Sequence, residues 1–195
     1  MAIRDTGTEQ LIKDTAKRVF FTDGRFNATT QDIADAAGVT RTVINYYFRS
    51  KDFLLQQVFK DAMEETKQKM DEIFLSKLPL KKKVIKFINM FTAEFTQFPY
   101  KEPFLISEIN SFGFTLPPQE VTAPLQQFFD EVQEAIDKGE IKKMLPVSFL
   151  VNLLSLIAYP FITRQLFVRT LDVSDSKFEH MMDERKKMII EVLFV

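Results

Sequence analysis

Residues 29–51, TTQDIADAAGVTRTVINYYFRSK, decide how the rest of the chain is read. Thr29, followed three positions on by Asp32, is a capping-box-like start. The hydroxyl accepts from a backbone N–H of the first turn, and the acid sits near the positive end of the helix dipole. A short helix therefore begins here. Ile33, Ala34 and Ala37 fall on one face, and Gly38 supplies the left-handed conformation that ends a helix without steric penalty. Thr40 caps a second short helix running through Ile44 to about Phe48. Val39, Ile44 and Phe48 turn inward, leaving Arg41, Thr42, Asn45 and Tyr46 outward. Ala34 is small where the two helices approach, and Ile44 pins the second onto the first. Two helices joined by a glycine-containing turn make a helix-turn-helix.

The tail YYFRSKDFL sharpens this reading. From about residue 10 to 55 the sequence resembles the DNA-binding domain of TetR-family transcriptional regulators. The residues that carry the resemblance are Phe20, Gly24, Phe26, Thr29, Ile33, Ala34, Ala37-Gly38-Val39-Thr40, Ile44, Tyr46-Tyr47-Phe48, Ser50-Lys51 and Leu54. The remainder matches the family in length and helical character. The resemblance implies a homodimer whose last two long helices form a four-helix interface, a near-palindromic double-stranded operator as partner, and an effector cavity.

Composition is that of a globular protein: 195 residues with 46% apolar content. Without cysteine there is no disulfide framework, thiolate metal site or thiol switch. No signal peptide is evident before Arg4 and Asp5, and no apolar run of about 18 residues suggests a membrane span. A cytoplasmic protein is expected. The net charge of −1 gives no global sign of nucleic-acid binding. Residues 1–51 hold eight Lys/Arg against six Asp/Glu, and the rest hold 18 against 21. The DNA-binding reading therefore rests on where the charges sit, with local phosphate neutralisation giving salt-sensitive affinity.

Along the chain, apolar spacing predicts a first helix over 9–22, stopped by Asp23-Gly24, with Phe26 tucked under the domain. Ser50 caps a long helix to about residue 75, and Lys51 at its start adds charge to N–H groups that favour phosphate. A helix over 80–98 aligns Val84, Phe87, Phe91 and Phe95. Pro99 and Pro103 bound a joint before a short helix over 104–112, and 111–118 reads as a loop. Another helix covers 120–138. Pro146 opens a strongly apolar helix that Pro160 should kink, and Ser174 starts the last. The expected fold is all-α, with about nine helices. Residues 1–50 form a helix-turn-helix DNA-binding domain and residues 51–195 a helical effector-binding and dimerisation domain.

For DNA, Arg41 suits guanine and Asn45 suits adenine; Thr40, Thr42 and Tyr46 divide between bases and phosphates. Thr29, Tyr47 and Lys51 would hold the backbone, Tyr47 being equally readable as a core residue with its hydroxyl at the surface. Among 21 phenylalanines, Phe87, Phe91 and Phe95 form a stripe, with Phe112 and Phe128 as further candidates. Such a stripe is read either as plain core or as the lining of a pocket for a small apolar or aromatic effector, with Asn152 and Tyr159 as its polar groups. His180 stands alone with no cysteine to complete a nucleophilic or metal set, so no enzyme, metal or cofactor is expected. Two rivals remain at this point: a helical carrier of lipophilic ligands, and a DNA-binding regulator controlled by a protein partner.

Overall fold

The computed structural model describes residues 6–110 and 122–195. Among them are ten α-helices: α1 (Thr6–Lys17), α2 (Thr30–Ala37), α3 (Arg41–Phe48), α4 (Lys51–Phe74), α5 (Leu80–Gln97), α6 (Lys101–Asn110), α7 (Ala123–Asp137), α8 (Pro146–Ile162), α9 (Arg164–Thr170) and α10 (Asp175–Leu193). α1 runs on through a single π-helical stretch, Arg18–Thr22. The architecture is all-α as expected, and the described residues contain no strand beyond one isolated bridge between Ile141 and Phe194.

α6 starts earlier than its sequence suggests. Pro103 lies in the first helical turn, where its missing N–H has no intrahelical partner to lose.

The chain forms two compact units. The first joins the segment through Lys67 with the segment from Gln97; the second joins Gln68–Thr96 with α7 to α10. In the first, Ile12, Ala16, Val19, Phe20 and Phe21 meet Ile33 and Ala34 of α2, Ile44 and Phe48 of α3, Leu54 and Val58 of α4, and Phe104 of α6. Phe104 stacks 5.2 Å from Phe20 and lies 5.3 Å from Phe26, which is half-buried as the sequence suggests. Gly24 has φ +67°, and a Cβ there would sit 2.9 Å from the Tyr100 ring. Glycine is needed both for the turn and for this approach. The Tyr100 N–H donates to the Phe21 carbonyl at 2.9 Å, fixing the start of α6 on the bundle. Lys13–Asp61 and Lys17–Glu65 pairs, at 2.7 and 2.6 Å, join α1 to α4 one helical turn apart.

The second unit is built on phenylalanine. Phe74 stacks 4.4 Å from Phe128 and 5.9 Å from Phe87; Phe91 follows at 4.6 Å from Phe87, Phe95 at 5.7 Å from Phe91, and Phe161 at 5.2 Å from Phe95. A deeply buried cation here is structural: Lys83, 1% exposed, donates to the Phe74 carbonyl and to Glu131, both at 2.6 Å. It thereby satisfies an end carbonyl of α4.

Pro160 lies inside α8, yet the break comes later, at Thr163, where α9 turns away by 49°. Pro160 has no N–H to give the Leu156 carbonyl four residues back. The Arg185 guanidinium from α10 donates to that carbonyl at 3.0 Å, so the helix continues past the proline. No single helix among the described residues is long and apolar enough to cross a membrane.

Candidate nucleic-acid interface

The capping box at α2 is complete. The Thr29 N–H donates to Asp32 Oδ2 at 2.8 Å, and the Asp32 N–H donates to Thr29 Oγ1 at 3.2 Å. Arg25 pairs with Asp32 Oδ1 at 2.7 Å. The Thr29 hydroxyl and N–H, with the Arg25 cation behind them, hold the Asp32 carboxyl below its usual value of 3.8. Gly38 ends α2 at φ +67°, and the Val39 N–H donates back to the Ala34 carbonyl at 3.0 Å. A Cβ at Gly38 would meet nothing within 4 Å, so backbone conformation alone calls for glycine. Thr40 caps α3, its hydroxyl accepting from the Val43 N–H at 3.4 Å.

This frame decides which side chains α3 shows. Ile44 and Phe48 are fully inside, while Arg41, Thr42, Asn45 and Tyr46 are exposed, Tyr46 at 66%. Tyr47 lies inside, with its ring 5.1 Å from that of Tyr46 and 6.3 Å from that of Phe48. Thr29 is exposed, and its hydroxyl is engaged by Asp32. Ser50 Oγ accepts from the Phe53 N–H at 3.1 Å, capping α4. Lys51 opens that helix with its ammonium 5.9 Å above the Phe20 ring.

Two contributors were invisible in the sequence. Arg49 is exposed between α3 and α4 with φ +60° and ψ −39°, and the Ser50 N–H donates to the Phe48 carbonyl at 2.6 Å. This is a γ-turn of the rare positive-φ kind, which an arginine does not announce as a glycine would. Thr8 of α1, distant in sequence, lines a depression together with residues of the turn and α3.

The effector candidates divide. Phe87, Phe91, Phe95 and Phe128 share one buried cluster. Asn152 and Tyr159 are exposed on α8, the Asn152 amide donating to the Met144 sulfur at 3.8 Å. Phe112 lies outside the described residues. His180 is exposed, 3.6 Å from Glu184. The described residues contain no group of three or more His, Cys, Asp or Glu side chains placed to hold a metal.

Residues 12–58 match the family of bacterial regulatory proteins named tetR. Residues 12–58 thus carry a domain of the tetR type. The matched segment runs from within α1 through α2 and α3 to the start of α4, and so includes the exposed face of α3. Solved structures share the fold over nearly the whole chain. A TetR-family transcription regulator from Marinobacter aquaeolei VT8 is 16% identical, covering 98% of this chain and 97% of its own, with a TM-score of 0.66. A structure described as the molecular basis for control of antibiotic production by bacterial hormones is 20% identical, covering 98% and 100%, with a TM-score of 0.67. A candidate fatty acid metabolism regulator from Clostridium perfringens is 19% identical, covering 95% and 99%, with a TM-score of 0.63. No curated protein matches the sequence. The likeness to these structures is one of fold, and the matched domain is that of bacterial regulatory proteins.

Proposed function

We propose that this TetR-family protein is a homodimeric repressor that leaves a near-palindromic operator when a small apolar or aromatic effector binds. The observation that carries the DNA half is the partition of α3: a short helix fixed at both ends, with Arg41, Thr42, Asn45 and Tyr46 outside and Ile44 and Phe48 inside. Residues 1–50 act as the DNA-binding domain, with Arg41 and Asn45 on bases and Thr29, Lys51 and Arg49 near phosphates. Residues 51–195 supply the effector site and the dimer contact.

Dimerisation is supported by exposed apolar stripes. Val147, Val151 and Tyr159 repeat at helical spacing on α8, and Met181 and Val192 stand out on α10. An apolar effector is supported by the phenylalanine cluster of Phe87, Phe91, Phe95 and Phe128. The structural relatives linked by name to bacterial hormones and fatty acid metabolism are in keeping with control by a small molecule. α4 runs unbroken from the helix-turn-helix into the second unit. An effector that prefers one α4 setting shifts the spacing of the two recognition helices, and its leverage equals that preference, typically about 1–3 kcal/mol.

The test is a gel shift with DNA flanking the protein's own coding region, at rising salt and with a panel of fatty acids and small aromatic compounds. Specific retardation that weakens with salt and is released by one compound class supports the reading. Indifference to every duplex sequence removes the operator, and retardation unaffected by small molecules but reversed by a protein from the same cell favours partner control.

A further inference from the structure

A depression of about 840 Å³ opens beside the exposed face of α3, lined by Val39, Thr42, Val43, Tyr46, Tyr47 and, from α1, Thr8. Its lining is methyl groups, aromatic carbon and hydroxyls, and it includes no charged side chain among the described residues. The cations stand beside it: Arg41 and Arg49 are both exposed at the two ends of α3. A phosphate is best met by these cations, whereas the Val39 and Val43 methyls and the tyrosine rings of the depression offer it nothing. What the Val43 methyls and the Tyr46 ring suit is the one apolar group on a base edge in the major groove, the C5-methyl of thymine.

Asn45 bears on the same choice. It is exposed on the helix between Thr42 and Tyr46 and suits the N6 and N7 edge of adenine. An A·T pair offers that edge and the thymine methyl side by side, so one helix face reads both halves of the pair. We propose that Thr42, Val43 and Tyr46 select thymine by seating its C5-methyl, so that A·T pairs occupy the centre of each half-site. This rests on the DNA-binding reading above.

The experiment begins with duplexes enriched by the full-length protein from a random pool. Each thymine of the enriched sequence is then replaced by deoxyuridine, which removes only the methyl group, and affinity is measured by fluorescence anisotropy. The expected result is thymine at the centre of each half-site, with a loss of about fourfold for each seated methyl removed and no loss at outer thymines. Tyr46→Ser, at a position mostly exposed to solvent, is expected to melt like the parent and to bind central thymine and uracil duplexes with nearly equal affinity. Enriched sequences without central thymine, or equal binding of thymine and uracil duplexes by the parent, would overturn the proposal while leaving DNA binding standing. Enrichment of no sequence at all overturns the DNA-binding reading and this proposal together.

Discussion

Thr29, Asp32 and Arg49 show how single residues set the geometry of α2 and α3. The Asp32 carboxyl is held below its usual 3.8 chiefly by the Thr29 hydroxyl, so folding favours its charged form. A group whose folded value is depressed contributes stability that is fully present above its unfolded value and lost as pH falls through the folded one. The expected outcome is a cap contribution intact at neutral pH and lost in acid below about pH 4. Asp32→Asn should flatten that acid limb in urea unfolding followed by circular dichroism. Thr29→Ala, which removes the partner hydroxyl, should cost about 1 kcal/mol at neutral pH. Arg49 carries the opposite balance. Its positive φ is strained for a side chain bearing a Cβ, so Arg49→Gly should raise stability by on the order of 1 kcal/mol. The same change removes a cation next to Lys51 and should weaken DNA binding at low salt, a trade that denaturation and anisotropy measure separately.

At the scale of elements, Pro160 and Arg185 make the most instructive pair. The carbonyl of Leu156, left without its helical donor by Pro160, is served by Arg185 at 3.0 Å. Arg185→Met should therefore destabilise by about 1 kcal/mol, the low end of the cost of an unsatisfied acceptor, because the contact is part-buried. Pro160→Ala restores a backbone donor, so the double substitution should recover most of that loss in a double-mutant cycle of urea unfolding. Additive losses would show that the Arg185 contact does not act through Leu156. The sequence announced the proline and predicted a kink, but nothing in it marked an arginine 25 positions later as the compensating donor. The same limit explains α6. Pro103 read as a boundary, and its tolerance in a first turn became visible only once the fixed Tyr100 N–H placed the helix start.

For the whole molecule, the helix-turn-helix was legible because every local signal agreed: Thr29 and Asp32 as cap, Gly38 as stop, Thr40 as second cap, and inward Ile44 and Phe48. The proposed effector region was less so. A phenylalanine stripe announces a core, and Phe87, Phe91, Phe95 and Phe128 form one, whereas the exposure of Asn152 and Tyr159 on α8 depends on how the helix is turned by packing that no local pattern encodes. That exposed face supplies a prediction for assembly. Val151 is 55% exposed amid the α8 stripe, so Val151→Glu should leave the melting of a monomer little changed while shifting sedimentation from dimer to monomer, because a charge in an apolar contact loses its hydration. An unchanged dimer would place the contact on another face.

The central claim is that the exposed face of α3 reads DNA sequence. Its most direct measurement is anisotropy titration of the enriched duplex, and of duplexes with single base-pair changes, by the parent protein, Arg41→Ala and Asn45→Ala. The account predicts that each substitution erases discrimination at one or two base-pair positions per half-site, a loss of about 5- to 100-fold in preference, with dimerisation intact. Unchanged base preference in both variants, with binding still tight, would contradict it.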